Sequence, residues 1–305
     1  MQRQEASLVS SPSAVVSLKA FGDFVIACHS LRRLTRQGPF ILAGAHLRPL
    51  ALALGVGEEV RILPTGSSRD VPAAFDIRRR GWIEAVRSLL QLRAALAAAQ
   101  DGARLVFDRI GWRETIIAAA ADRLALPDAP NIYSAYETHF ANAGYEFVPR
   151  LSALQAPVRS AVIVPASRVV AKTLPAETIR SVREQLLEAG VETEVVVLEG
   201  DAVELPHATK ARQIPRTFES LIDCILRTEL VVSADSLAAH LAEYLGRRCF
   251  VVAPQPNIYW LPASCLASGG WATFQEVLRL SSWLAAAQHG RPGLLNGPSM
   301  PGPQG

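Results

Sequence analysis

The sequence predicts an α/β protein: a pair of doubly wound parallel-sheet domains facing a central cleft. Three observations predict it. Short β-branched runs alternate with longer helical patterns. The alternation pauses and restarts near residue 155. The polar residues able to do chemistry fall just after the predicted strands. Strand–helix alternation implies parallel βαβ units and a sheet covered on both faces. Such sheets take ligands beyond the carboxyl ends of their strands.

In the first half, residues 14–18 (AVVSL), 40–43, 60–63 and 104–108 (RLVFD) read as strands, and residues 24–36 and 82–100 as helices. Residues 131–160 form a looser stretch of aromatic, proline and polar residues. Its first part, 131–149 with Tyr133, Tyr136, His139 and Tyr145, is expected to be an acceptor-side loop or to close the first domain's core. In the second half, residues 160–164 (SAVIV), 194–198, 229–233 and 248–253 read as strands. The helix at 177–189 repeats Ile179, Val182 and Leu186 on one face, with Gly190 at its C-terminal end. A last helix near 274–287 either packs on the second domain or crosses back to the first. The expected organisation is a flexible N-terminus (1–13), a first α/β domain (14–155), a second α/β domain (156–288) and a Pro/Gly-rich tail (289–305).

Composition narrows the function. Half the chain is apolar, which suits a folded core rather than disorder. A net charge of +3, from 31 basic and 28 acidic residues, does not imply nucleic-acid binding. The basic knot Arg78-Arg79-Arg80 reads as a solvated face, or as a contact for an anionic acceptor or lipid headgroup. No apolar run is long enough for a membrane span, and residues 1–13 lack a signal-peptide core, so a cytoplasmic protein is expected, with peripheral contact at the inner membrane face an option. Cys28, Cys224, Cys249 and Cys265 stand far apart and read as reduced thiols; they and the six histidines form no metal motif.

Four segments carry candidate chemistry. Gly22 and Asp23 follow the first strand. Gly22 allows a tight turn, and Asp23 is either a cleft-facing carboxylate or an ordinary helix cap. Ser167, Arg168 and Lys172, followed by Pro175, come after the fifth predicted strand. They can bind phosphate by hydroxyl, fork and point charge, or be solvated loop residues. Asp235, Ser236 and His240 span the next strand-to-helix junction, where a cap and an anion site coincide. Pro254, Gln255 and Asn257 form a stiff loop after the last strand, contacting a sugar or ribose or serving as turn residues. Tyr259 and Trp260 beyond it can stack on a base or pack the loop. Residues 15–40 contain no G-x-G-x-x-G, which disfavours a dehydrogenase.

Taken in order, these segments resemble the ADP-heptose:lipopolysaccharide heptosyltransferase family, glycosyltransferase family 9, with its two-domain GT-B fold. The resemblance rests on Gly22-Asp23, on the spacing of Arg168, Lys172 and Pro175, on Asp235-Ser236-x-x-x-His240, and on Asp108-Arg109-Ile110-Gly111 as an Asp-x-x-Gly. It implies an inverting transferase, moving a sugar from a nucleotide diphosphate sugar, ADP-linked by default, to a hydroxyl of a saccharide, glycolipid or other acceptor. The resemblance makes 14–155 the acceptor-side domain and 156–288 the donor-side domain; Asp23 would be the general base, Lys172 would hold the donor phosphate, and Asp235, Ser236 and His240 would position the donor. No metal or other cofactor is implied. The sequence departs from the family where Leu237 replaces a glycine and Ala253-Pro254-Gln255 replaces Gly-Pro-Thr. Glu199 and Asp201 are both candidates for the ribose carboxylate. A non-catalytic nucleotide- or sugar-binding protein and a nucleotide-sugar epimerase are the alternatives.

Overall fold

The computed structural model describes residues 12–18, 20–64, 81–119, 121–149, 157–207 and 209–288. Arg78, Arg79 and Arg80, the sequence-predicted tail and most of the N-terminal segment lie outside them. The chain divides into two compact units, Met1–Pro149 and Arg150–Gly305.

In the first unit, β1 (Ser13–Ser17), β2 (Phe40–Gly44), β3 (Val60–Leu63), β4 (Arg104–Phe107) and β5 (Arg123–Ala125) form one parallel sheet in the order β3-β2-β1-β4-β5. Central β1 pairs on both sides, Val15 with Ile41 and with Val106, and Ala14 and Val15 are almost wholly buried. A strand covered on both faces reads as a continuous apolar run, which is why it was legible. The helices are α1 (Phe21–Arg32), α2 (Arg48–Leu54), α3 (Trp82–Ala99), α4 (Trp112–Ala118) and α5 (Ile132–Asn142).

Two expectations need correction. The first helix ends at Arg32 rather than residue 36, because Leu34 bridges to Phe147 and the Thr35 N–H donates to the Glu146 carbonyl at 2.9 Å. The looser stretch holds a helix, not an acceptor loop. The Asn131 side chain caps α5 by accepting from the Tyr133 N–H at 2.8 Å. Tyr133, Tyr136, His139 and Phe140 are buried, and α5 packs on α1, with Arg33 paired to Glu137. Spacing of three and four residues puts those rings on one helical face, so the aromatics close the core.

The second unit has six parallel strands: β6 (Ser160–Val164), β7 (Glu192–Leu198), β8 (Ala211–Ile214), β9 (Leu230–Ala234), β10 (Arg248–Ala253) and β11 (Trp271–Thr273). Their order is β11-β10-β9-β6-β7-β8. Its helices are α6 (Ala176–Glu188), α7 (Phe218–Leu226), α8 (Leu237–Tyr244), α9 (Ala263–Ser268) and α10 (Arg279–Gln288). Ile179, Val182 and Leu186 of α6 are fully buried, and Gly190 follows at φ +71°, a conformation only glycine adopts cheaply.

The last helix packs on the second unit. Gln185 of α6 accepts from the Ser281 N–H at 2.9 Å and its hydroxyl at 2.8 Å. Trp283 lies 5.3 Å from the Phe250 ring and donates to Ser268 at 3.2 Å. The helix begins at Arg279, not near 274, because Thr273 and Glu276 bond each other in a turn. Trp283 thus ties α10 to the sheet and to α9. Trp283→Ala is expected to cost about 3–5 kcal/mol of stability in urea unfolding, through the cavity it leaves beside Phe250.

Candidate functional site

In the second sheet, the chain leaves β6 towards β7 on one side and β9 towards β10 on the other, although β6 and β9 are neighbours. The crevice at their carboxyl ends is where an open sheet binds ligands. After β6, the Ser167 N–H donates to the Thr173 hydroxyl at 3.1 Å, and the Ser167 hydroxyl accepts from the Val169 N–H at 3.4 Å. These bonds shape the turn that ends in a short 3₁₀ helix, Val170–Lys172. After β9, Asp235 precedes Ser236, the N-cap of α8.

Across the crevice, Lys172 Nζ donates to Asp235 Oδ2 at 2.6 Å. The carboxylate side chain is 10% exposed and the lysine 38%. His240, in the second turn of α8, is buried. Burial first, and then the Lys172 charge, push its pKa down from the ordinary 6.5 to about 4, against the opposing pull of Asp235. The imidazole is therefore neutral near pH 7, able to donate from one nitrogen and accept at the other. The ion pair uses one of the three Lys172 protons. The structure thus brings together Lys172, Asp235 and His240 from segments 63 residues apart in sequence.

Other candidates fall differently. Arg168 is exposed on the same loop as Lys172, and Ser236 caps α8 by position but makes no side-chain cap bond. Leu237 opens α8 in helical backbone and does not need a glycine's freedom. Asp201 is committed to Arg216, at 2.5 Å, and to the Leu198 N–H, at 3.1 Å. Pro254, Gln255 and Asn257 form a separate loop after β10. The Asn257 side chain accepts from the Tyr259 N–H at 3.2 Å and caps a 3₁₀ turn, so it serves as a turn residue. Tyr259 and Trp260 pack edge to face at 5.4 Å.

In the first sheet the corresponding reversal lies between β1 and β4. A small pocket opens there, lined by Val16, Ser17, Leu18, Asp23, Phe107, Asp108, Glu114, Ile117 and Tyr136. Asp23 is the third residue of α1, whose N-cap is Ala20, so it is not the cap. Gly22 is helical rather than turn-forming. Sequence reasoning missed Glu114, which is buried and accepts from the Gly111 N–H at 2.9 Å. The Gly111-x-x-Glu114 spacing before an apolar run was the available signal. It also missed Ser17, whose buried hydroxyl finds no partner among the described residues.

No family model and no curated protein matches the chain. Solved structures do match. The E. coli heptosyltransferase WaaC with ADP is similar over 91% of this chain and 98% of that one, with a TM-score of 0.54 at 15% identity. E. coli ADP-heptose lps heptosyltransferase II gives 0.53 at 15% identity, covering 91% and 98%. A glycosyl transferase family 9 protein from Veillonella parvula gives 0.55 at 12% identity, covering 87% and 86%.

The fold is GT-B.

At these identities the likeness is one of fold, and the chemistry of this GT-B chain has to be argued from its own residues. Among its described residues, no group of three or more His, Cys, Asp or Glu is placed to hold a metal, and no helix is long and apolar enough to cross a membrane. The state of His240 gives a pH prediction. The unfolded chain takes up that proton near pH 6.5 and the folded GT-B chain only near 4. Between those values the unfolded state binds more protons, so stability is complete above pH 6.5 and falls as the pH drops. The loss should reach about 3 kcal/mol by pH 4. Urea unfolding across this window should show it, and His240→Gln should remove most of the slope.

Proposed function

We propose that the protein is a glycosyltransferase that moves a sugar, with inversion, from a nucleotide diphosphate sugar to a hydroxyl acceptor in surface-glycan or lipopolysaccharide synthesis. The observation that carries this reading is the Lys172–Asp235 pair beside a neutral, buried His240 at the strand crossover of the second sheet. A positioned ammonium offsets the charge growing on a departing diphosphate. Asp235 offers an acceptor for sugar hydroxyls and His240 helps to position it, with Ser167, Arg168 and Ser236 bordering the same crevice. An ADP-linked donor is favoured because similar structures hold ADP and ADP-2-deoxy-2-fluoro heptose.

In the first unit, the pocket holding Asp23 takes the acceptor. The acceptor oxygen forms the new bond to the anomeric carbon as that carbon's bond to the diphosphate oxygen breaks. The hydroxyl proton passes to Asp23, and the nucleoside diphosphate leaves with the bonding electrons. A diphosphate is a competent leaving group, so the reaction as proposed requires no cofactor. The four cysteines are buried and unbridged, with burial pushing the Cys28, Cys224 and Cys265 thiols up, which suits a reducing, cytoplasmic setting.

The deciding experiment titrates the folded protein with ADP, GDP, UDP and CDP by calorimetry. Selective binding of one supports the reading and names the donors to assay. Absence of binding to all four would sink it.

A further inference from the structure

The pocket of the first unit has a charge that narrows what it can take. Asp108 directly follows β4, Asp23 sits in the first turn of α1, and Glu114 sits in the first turn of α4. Strands β1 and β4 are neighbours, so the three carboxyl side chains line one pocket. Glu114 is 5% exposed, and Asp23 and Asp108 are half-buried. No lysine, arginine or histidine lines the pocket among the described residues. Lys19 follows Leu18 in the sequence and lies outside them; its one charge against three still leaves an excess of acid.

A cluster of acids alone would be an ordinary polar wall. Ser17 makes it more than that. It is 6% exposed and lines the same pocket, and its buried hydroxyl has no hydrogen-bond partner among the described residues. A buried hydroxyl without a partner costs stability, and a ligand in the pocket would supply the missing bond.

The charge of that ligand follows from the wall. A phosphorylated or carboxylated molecule would meet like charges, which disfavour one another at close range. A neutral sugar would satisfy Ser17 and leave the carboxylates crowded. A metal ion fits poorly, because among the described residues no three His, Cys, Asp or Glu side chains are placed to share one. An ammonium on an organic molecule has three donors with which to reach separated carboxylates. The Tyr136 ring on the same wall is a further attraction for a cation.

We propose that this pocket selects an amine-bearing acceptor, a sugar whose ammonium stands beside the reacting hydroxyl. Asp108 and Glu114 take the ammonium, Ser17 bonds the neighbouring hydroxyl, and Asp23 receives its proton. The inference rests on the transferase reading for the pocket's role, but binding of the amine can be measured without a donor.

The test is saturation-transfer NMR of the full chain with D-glucosamine, glucose, N-acetylglucosamine and glucuronate, in the absence of nucleotide. Glucosamine should bind at least about tenfold more tightly than the other three, and added salt should weaken it. Asp108→Asn should cost glucosamine about tenfold or more in affinity. Ser17→Ala should cost about threefold or more while the urea-unfolding midpoint holds or rises; a hydroxyl with a purely structural role would lower that midpoint. Equal binding of glucose and glucosamine overturns the proposal, as does absence of glucosamine binding, or its displacement by equimolar magnesium. Any of these failures in a chain that still binds a nucleoside diphosphate leaves the transferase reading standing. Glucosamine binding by a chain that takes no nucleotide would keep the amine site and remove that reading.

Discussion

Asp23→Asn is expected to lower the rate of sugar transfer by about 10²–10⁴-fold, the usual loss on removing a positioned general base. The change is isosteric, so the pocket between β1 and β4 should keep its shape. Asparagine cannot take the acceptor's proton. Because Asp23 is proposed to act on the acceptor's proton rather than on the diphosphate, affinity for the nucleoside diphosphate should change far less than the rate. Steady-state kinetics beside calorimetry separates the two effects. A variant that retains near-parental kcat would remove Asp23 from the chemistry, and Asp108 and Glu114 of the same pocket would become the carboxylates to replace next.

Lys172→Ala should weaken nucleoside diphosphate binding by roughly 10–100-fold, the worth of one charge-assisted hydrogen bond to phosphate. It has a second expected consequence. Asp235, only 10% exposed, loses its cation. Breaking a fully buried pair costs about 3–5 kcal/mol, but Lys172 is 38% exposed, so solvent screening should reduce the loss to about 1–2 kcal/mol. A third readout follows from the charges on His240. Removing Lys172 deletes an influence that lowers the imidazole pKa and leaves Asp235, which raises it. The acid loss of stability linked to His240 should therefore become smaller and be complete at a higher pH, its onset near 6.5 unchanged. Asp235→Asn should move it the other way, and the double variant shows how strongly the pair is coupled. Unchanged nucleotide affinity in Lys172→Ala would separate this pair from donor binding and leave it a structural contact.

Much of the fold was legible because its signals are local. The leucines and alanines of α3 bounded that helix to within one residue, and the apolar runs of β6 and β10 had only one way to be buried. What escaped was short or polar. β5, β8 and β11 have three or four residues each, with arginine or threonine among them, and such strands are made by their neighbours rather than by propensity. Helix α5 was hidden by its aromatics, which lower helix propensity and suggest a loop until Asn131 is recognised as a cap. Ordering of candidates after strands located Lys172 and Asp235 on the loops that follow β6 and β9, with Asp23 and His240 in the helices that come next. Their partners were not legible: the Lys172–Asp235 contact depends on β6 and β9 becoming neighbours, which no local pattern states. Ser17 and Glu114 looked like a strand residue and a helix acid, and only tertiary placement put them on a pocket wall.

Helix α4 is seven residues long, about 10 Å from end to end at 1.5 Å per residue. Trp112 and Ile116 stand on its outer side, while Glu114 and Ile117 line the pocket. One short rod thus carries a pocket wall on one side and exposed side chains on the other, and the Glu114 carboxylate that accepts from the Gly111 N–H holds its first turn. Replacing Glu114 would loosen the turn that bears Trp112 as well as the wall.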